Sequence, residues 1–153
     1  MTRIVKRTAL GFAASLLVLV AIQAIPYGRL SANPPVVAEP AWDTTETRQL
    51  AKRACFDCHS NETRWPAYAS VAPVSWLIAR DVREGRDVLN FSEWGRPQKE
   101  AGEAAEVVGE GEMPPLAYRL MHRDARLTVA ERELLVRGLE ATIGRTHTED
   151  SDD

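Results

Sequence analysis

The chain has only two cysteines and three histidines in 153 residues, and this scarcity narrows what its one cysteine motif can do. Both cysteines lie in the stretch ACFDCHS, residues 54–60, together with one of the histidines. A structural zinc site needs four ligands, and the chain has no third cysteine and only His122 and His147 elsewhere. The shortage of ligands argues against zinc.

The sequence also lacks any segment that alternates apolar and polar residues as a half-buried strand would. Four segments instead repeat apolar residues at helical spacing, so we expect an all-α body with two long loops. The first predicted helix begins at Asp43, with Glu46 completing a capping box, and the second begins near Pro73, with one apolar face made of Val74, Leu77, Ile78 and Val82. The third covers PQKEAGEAAEVV and ends at Gly109, with one apolar face made of Ala101, Ala104, Ala105 and Val108. The fourth begins at Thr128, with Glu131 as its capping-box partner, and has one apolar stripe made of Leu135, Leu139 and Ile143.

Acidic residues are absent from the first 29 positions, which carry four basic ones. The remaining residues, 30–153, carry fifteen basic and twenty-two acidic side chains. A body with this balance is a poor binder of nucleic acid, so we predict no nucleic-acid partner.

The longest apolar run extends from Thr8 to Ile25 and follows the basic residues Arg3, Lys6 and Arg7. Its length lies between that of a cleaved signal peptide and a full membrane span. The candidate cleavage sites near residues 24 and 32 have a bulky residue where a small one is preferred. We therefore predict a retained single-pass transmembrane helix with its N-terminus in the cytoplasm; removal of the segment is the alternative.

Composition divides the chain into four predicted regions. Residues 1–29 form the N-terminal anchor, and residues 30–41, with three prolines, form an extended Pro-rich tether. Residues 42–145 form the folded domain, and residues 146–153 form an acidic, disordered tail.

The motif ACFDCHS fits covalent haem attachment better than thiol redox chemistry. A thioredoxin-like pair sits where a strand turns into a helix, whereas here a helix precedes the motif. A disulfide between Cys55 and Cys58 is the remaining alternative, although so short a loop stabilises little. The spacing C-x-x-C-H predicts thioether bonds from Cys55 and Cys58 to a haem, with His59 as an axial ligand of the iron.

Several stretches resemble the small haem-binding domain family of Gram-negative bacteria, which is membrane-anchored and of the c-type cytochrome kind. They cover nearly all of residues 33–143 and comprise NPPVVAEPAWD, TRQLAKRACFDCHSNETRWP, VAPVSWLIARDV, LNFSEW, GEMPP and ARLTVAERELL. The resemblance implies a small c-type cytochrome-like helical domain wrapped around one haem. It also implies a single covalent haem c, held on the periplasmic side of the inner membrane.

A second axial ligand has few candidates. Met113 lies in the loop GEGEMPP, which resembles the methionine-proline ligand loop of small c-type cytochromes, and Pro114 biases it away from helix. We predict His59 and Met113 as the iron ligands. The rival is His122, next to Met121, which would give a bis-histidine centre of lower potential. Met1 and His147 are on the wrong side of the membrane and in the polar tail, respectively.

Large aromatic side chains and two arginines are further candidates for haem contacts. The arginines Arg64 and Arg80 could pair with the haem propionates. The aromatic residues that could form the haem wall are Trp65, Tyr68, Trp76, Phe91, Trp94 and Tyr118.

The function that these features favour is one-electron transfer between redox protein partners, and not enzymatic catalysis. An acidic body would favour a partner with a basic docking face. The alternative is a haem-based gas or redox sensor with a displaceable sixth ligand. A peroxidase-like enzyme is the least supported, because Glu110 and Glu112 are the only acid–base groups near Met113 in sequence.

Overall fold

The computed structural model describes residues 2–27 and 32–149, and it confirms the all-α prediction. Within these residues the only β pairing is an isolated parallel bridge between Ala38 and Glu93. The seven α-helices are α1 (Thr2–Ile22), α2 (Thr45–Ala54), α3 (Phe56–His59), α4 (Val74–Val88), α5 (Ala104–Glu110), α6 (Leu116–Met121) and α7 (Val129–Glu149).

The described residues fall into two compact units. The first contains residues 2–27, 32 and 65–81, and the second contains residues 33–64 and 82–149. In the first unit α1 is the one helix in the described residues that is long and apolar enough to cross a membrane. Its side chains are exposed from Arg3 to Ala21, as for Leu10 at 73% and Phe12 at 75%. Such a helix is either a membrane span or a signal sequence.

The core of the second unit is made by α2, α5 and α7. Its α7 stripe is Leu135, Leu139 and Ile143, which are at most 6% exposed. The α5 segment contributes the four residues of the predicted face, all at or below 9% exposure, namely Ala101, Ala104, Ala105 and Val108. The helical periods predicted for α5 and α7 are therefore confirmed. Removal of these apolar side chains from water drives α2, α5 and α7 together.

The helix ends differ from the predictions in three places. The α2 cap is Thr44, whose hydroxyl accepts a hydrogen bond from the Thr47 amide, so the predicted Asp43–Glu46 box is wrong by one residue. Helix α5 begins after a 3-10 turn, and its C-terminal cap is Gly111, where φ is 80°, instead of the predicted Gly109. By contrast, the α7 box is confirmed by reciprocal bonds between Thr128 and Glu131.

The predicted apolar face of α4 is largely wrong. Val82 is 4% exposed, but Val74 is 43% and Leu77 59% exposed. A helix buries only the turns that meet a packed surface, and in the second unit α4 contributes its C-terminal turns, including Val82 and Gly85.

The two predicted loops contain short helical elements that the sequence pattern did not reveal. The first holds the 3-10 turn Ala67–Ser70, and the second holds α6 and the 3-10 turn Arg123–Ala125. Helix α6 is only six residues long and buries none of them, and so short a segment does not establish a helical period in the sequence.

The Pro-rich segment is extended, and its backbone is hydrogen-bonded to the domain. The amides of Val37 and Ala38 both donate to the Ser92 carbonyl, at 2.8 and 3.1 Å, and the Trp94 amide donates to the Ala38 carbonyl at 3.0 Å. Its Glu39 carboxylate accepts from Arg48 of α2 at 2.6 Å. These contacts place residues 33–41 in the second unit.

The acidic tail was predicted to be disordered from residue 146. The backbone of α7 continues as helix to Glu149. The rest of the tail, residues 150–153, lies outside the described residues.

Candidate functional site

The cysteine motif forms one turn of helix immediately after α2, as predicted. The Cys55 amide donates to the Ala51 carbonyl at 2.7 Å, which ends α2. The amides of Cys58 and His59 then donate to the Cys55 carbonyl at 3.1 and 2.9 Å. This turn places the two thiols on the same short helical segment, three residues apart.

Burial raises the pKa of the Cys55 thiol to about 12, and the neighbouring Cys58 adds to the shift. A thioredoxin-like nucleophile needs the opposite shift, toward a thiolate at neutral pH. The environment of Cys55 therefore supports the prediction that the motif is not a thiol redox pair.

The imidazole of His59 is held through Nδ1. This nitrogen lies 3.0 Å from the Gly85 carbonyl oxygen and 3.2 Å from that of Leu89. Carbonyl oxygens only accept hydrogen bonds, so Nδ1 carries the proton and Nε2 is left with its lone pair. Burial lowers the pKa of His59, which favours the neutral ring. A neutral imidazole oriented in this way can bind a metal through Nε2.

Gly85 is a site residue that the sequence analysis missed. A Cβ atom at this position would lie 2.7 Å from the Cys58 carbonyl oxygen and 3.2 Å from Cys58 Cβ. The missing side chain therefore lets α4 lie directly against the motif, close enough for its carbonyls to reach His59. The sequence signal was a single glycine within a helical pattern, where a packing role cannot be told from a helix end.

An apolar cleft brings together Cys55, His59 and Met113, three of the four predicted site residues. The cavity has a volume of about 90 Å³. It is lined by Cys55, His59, Val88, Leu89, Phe91, Glu100, Glu103, Ala104, Val107, Val108, Met113 and Leu139. Cys58 does not line it, although it belongs to the same helical turn.

Met113 reaches the cleft from the loop after α5. Its amide donates to the Val107 carbonyl at 3.1 Å, which fixes the start of the loop, and its side chain is 38% exposed. The rival ligand His122 does not line the cleft. Its ring stacks on Tyr118 with centroids 4.2 Å apart, and Met121 is 65% exposed.

The other two candidate iron ligands, Met1 and the side chain of His147, lie outside the described residues.

The donors and walls of this cleft fit a haem. An imidazole nitrogen and a thioether sulfur are established axial ligands of haem iron, and the walls are mostly aliphatic and aromatic. A porphyrin ring is larger than the enclosed volume, so a bound haem requires the walls to separate or part of the ring to lie outside.

The predicted aromatic wall is only partly present. Phe91 lines the cleft, and Trp94 stacks on it with the rings 7° apart and their centroids at 5.9 Å. Trp65, Tyr68 and Trp76 belong to the first unit. Two aromatic residues that were not predicted, Trp42 and Phe56, pack on Phe91 instead, at 5.1 and 5.7 Å.

The predicted propionate partner Arg64 pairs with carboxylates of the protein itself. Its Nη2 lies 3.1 Å from Asp57, and its Nη1 lies 2.7 Å from Asp124. These bonds raise the pKa of the Arg64 guanidinium, with the bond to Asp57 the larger cause. Asp57 is 7% exposed, and its carboxylate also accepts a hydrogen bond from the Tyr118 hydroxyl at 2.5 Å. The other candidate, Arg80, is in the first unit.

The acid–base groups near the cleft also differ from the prediction. Glu100 and Glu103 line the cleft and are exposed. Glu110 and Glu112 are also exposed but do not line the cleft.

Comparison with known proteins gives one family match and several partial relatives. A family profile described as "Haem-binding domain" matches residues 17–141. The chain is 33% identical over 96 residues to the octanoyltransferase of Brucella melitensis biotype 1, which covers 60% of this chain and 33% of that protein. The octanoyltransferases of Brucella abortus and Brucella suis are each 33% identical over 97 residues.

This chain spans about a third of the length of these relatives. No solved structure matches it.

Proposed function

Because this chain belongs to the haem-binding domain family and binds haem, we propose that it carries one covalent c-type haem and passes single electrons between redox partners. The observation that carries this proposal is the shared cleft of Cys55, His59 and Met113. In this proposal His59, through Nε2, and Met113, through its thioether sulfur, would hold the haem iron.

Covalent attachment is supported by the geometry of the motif. Each thiol would add across one vinyl group of the haem, so that a carbon–sulfur bond forms and the thiol proton goes to the neighbouring vinyl carbon. This addition of a thiol to a vinyl group needs no oxidant or reductant. Two thiols on one short turn suit two vinyl groups on one edge of a porphyrin. The haem, once bound, supplies the iron that alternates between ferric and ferrous states.

The protein's own contribution to electron transfer is to fix the ligands and exclude water. The Gly85 and Leu89 carbonyls keep the proton on His59 Nδ1 and raise the basicity of Nε2. The thioether of Met113 favours ferrous iron and so raises the reduction potential. The apolar walls, among them Phe91 and Leu139, disfavour the added positive charge of the ferric state, which also raises the reduction potential.

The partners are proposed to be redox proteins with a basic face. Glu100 and Glu103 are exposed at the cleft, and Glu110 and Glu112 are exposed beside Met113. Charges of one sign around a redox site steer a partner of the opposite sign, and the effect weakens with salt. We propose no nucleic-acid partner, because residues 30–153 carry an excess of acidic side chains.

We place the haem domain in the periplasm, held at the inner membrane by α1. The basic residues Arg3, Lys6 and Arg7 precede the apolar part of the helix, which leaves the N-terminus in the cytoplasm under the positive-inside rule.

A sensor is the second candidate, because Met113 is 38% exposed in a loop and could be displaced by a small ligand. The test is the binding of carbon monoxide to the ferrous protein, produced with a cytochrome c maturation system. Slow or absent binding is expected for an electron carrier, and fast binding would favour the sensor. A peroxidase-like enzyme would also bind it quickly, and would in addition turn over peroxide.

Covalent attachment is tested separately on the same preparation. We expect the haem to stay on the chain through acid-acetone extraction and denaturing gel electrophoresis. The double variant Cys55→Ser, Cys58→Ser should lose it, and an extractable haem in the unaltered protein would contradict covalent attachment.

A further inference from the structure

We propose that Asp57, acting through Tyr118, is a positioning residue that keeps Met113 on the haem iron. The inference rests on the His59/Met113 ligation proposed above. It concerns the link between the cysteine motif, which contains Asp57, and the segment that follows Met113, residues 114–125.

Asp57 is a buried carboxylate with several hydrogen bonds. It accepts from the Arg64 amide at 2.9 Å, from Arg64 Nε at 3.2 Å and from Arg64 Nη2 at 3.1 Å. It also accepts from the Tyr118 hydroxyl at 2.5 Å. Tyr118 lies five residues after Met113 and 61 after Asp57, so this bond ties the proposed sixth-ligand loop to the haem-attachment turn.

The segment after Met113 is buried only at its two ends. Between the buried residues Pro114 and Ala125 no side chain is buried, and Leu116 and Leu120 are 64% and 63% exposed. Apolar burial therefore holds the two ends of the segment, and polar bonds hold its middle. In the described part of the chain, the bond from Tyr118 to Asp57 joins this middle to a buried carboxylate.

A second bond runs parallel to the first, from Arg64 Nη1 to Asp124 at 2.7 Å. Both side chains of that pair are about half exposed, at 53% and 46%. An ion pair at this exposure contributes little, because water screens it. The hydrogen bond of Tyr118 to a buried carboxylate is of the stronger, charge-assisted kind.

The phenol stays a donor at neutral pH. Burial and the hydrogen bond to Asp57 both raise the pKa of Tyr118 above its ordinary value. The ring also stacks on His122, with an angle of 20° between the planes. The substitution Tyr118→Phe can keep this stacking and remove only the hydroxyl group.

The test compares Tyr118→Phe with Tyr68→Phe in the full-length holoprotein. Tyr68→Phe is the matched control, because it also removes a tyrosine hydroxyl but does so in the first unit, which does not contain Asp57 or Tyr118. In the ferrous protein Met113 must leave the iron before carbon monoxide binds. We expect Tyr118→Phe to bind carbon monoxide about tenfold faster than the control, as for loss of one charge-assisted hydrogen bond. Asp57→Asn, which weakens the acceptor, should change the rate in the same direction.

Two further measurements separate positioning from a general loss of stability. Covalent haem yield and the far-UV thermal midpoint should differ little between Tyr118→Phe and the control, while the ferric haem–thioether band should disappear at a lower temperature. A variant that melts earlier but binds carbon monoxide at the control rate would overturn the inference.

Met113→Ala distinguishes the two levels of the proposal. If this variant leaves the spectrum unchanged, Met113 is not a ligand, and both the ligation and the inference fail. If Met113→Ala opens the iron but Tyr118→Phe matches Tyr68→Phe, only the inference fails.

Discussion

Gly85 has two roles, because its backbone carbonyl accepts a hydrogen bond from His59 Nδ1 while its missing side chain makes room for Cys58. The first role could be filled by any residue at this position, because every residue has a backbone carbonyl that accepts hydrogen bonds. The second could not, because the nearest atom to a Cβ would be a backbone oxygen of the motif. The orientation of the proposed iron ligand therefore depends on one hydrogen atom in place of a methyl group.

Gly85→Ala should destabilise the protein and weaken haem binding. The methyl group gains up to about 1 kcal/mol of helix propensity, but the 2.7 Å approach to Cys58 forces α4 away, and overpacking of this kind costs about 1–3 kcal/mol. Urea unfolding of the holoprotein measures the balance. The control is Gly144→Ala in α7, where no atom lies within 4 Å of a Cβ and the substitution should be neutral or stabilising. Equal behaviour of the two variants would show that the close approach is unimportant.

Met113→Ala should abolish the red charge-transfer band of a ferric haem–thioether bond and lower the reduction potential. Covalent haem should remain, since Cys55, Cys58 and His59 are unchanged. His122→Ala is the comparison, because His122 does not line the cleft. We expect it to leave the spectrum nearly unaltered, and the reverse pattern would identify a bis-histidine centre.

Among the described residues, helices α2 and α7 each begin at a threonine whose side chain caps the helix three residues on. Thr128 and Glu131 start α7 by bonding each other's backbone amides, at 2.7 and 3.2 Å. Glu131 also accepts from Arg53 of α2 at 2.6 Å, so one carboxylate caps one helix and joins it to another. Helix α6 has no side-chain cap and no buried face, and it depends on contacts made outside itself.

The Glu131 bonds predict how stability depends on acid. The Thr128 amide, and after it Arg53, lower the pKa of Glu131 from 4.5 to about 2. A folded pKa below the unfolded one means that the contribution is fully present above pH 4.5 and is lost as the pH falls toward 2. Wild-type stability should therefore fall more steeply over this range than that of Glu131→Gln.

Urea unfolding at pH 6 and pH 3 measures the difference. Glu133→Gln is the matched control, since it removes an exposed carboxylate from the same helix. If Glu131→Gln and Glu133→Gln show the same pH slope, the cap does not carry the effect.

The whole molecule combines an acidic haem-binding domain with an apolar N-terminal helix whose side chains are exposed from Arg3 to Ala21. Exposed apolar surface on the scale of α1 is unfavourable in water, so the helix needs a lipid environment or removal. The chain should therefore partition with membranes as long as residues 2–22 are present.

We expect the full-length protein to remain in the membrane fraction through high salt and alkaline carbonate and to be released by detergent. An integral span survives these washes, whereas electrostatic attachment does not. Mature protein that begins near Asn33 and appears in the soluble periplasmic fraction would instead identify α1 as a cleaved signal.

The sequence by itself determined the features that depend on near neighbours. Apolar residues at helical spacing identified the core faces of α5 and α7, the Thr128–Glu131 pair identified a helix start, and the spacing of Cys55, Cys58 and His59 identified the motif. These signals extend over at most a few turns, so they are complete within one stretch of chain. The same kind of pattern misassigned the apolar face of α4, because periodicity cannot tell which turns of a helix meet another surface.

Only the tertiary structure decided which distant groups meet. The carbonyls that orient His59 lie 26 and 30 residues further along the chain, and Tyr118 is 61 residues from Asp57. The same packing brings Met113, and not His122, into the cleft of His59. Such contacts depend on how closely and at what angle helices cross, which is set by the whole core rather than by any local spacing.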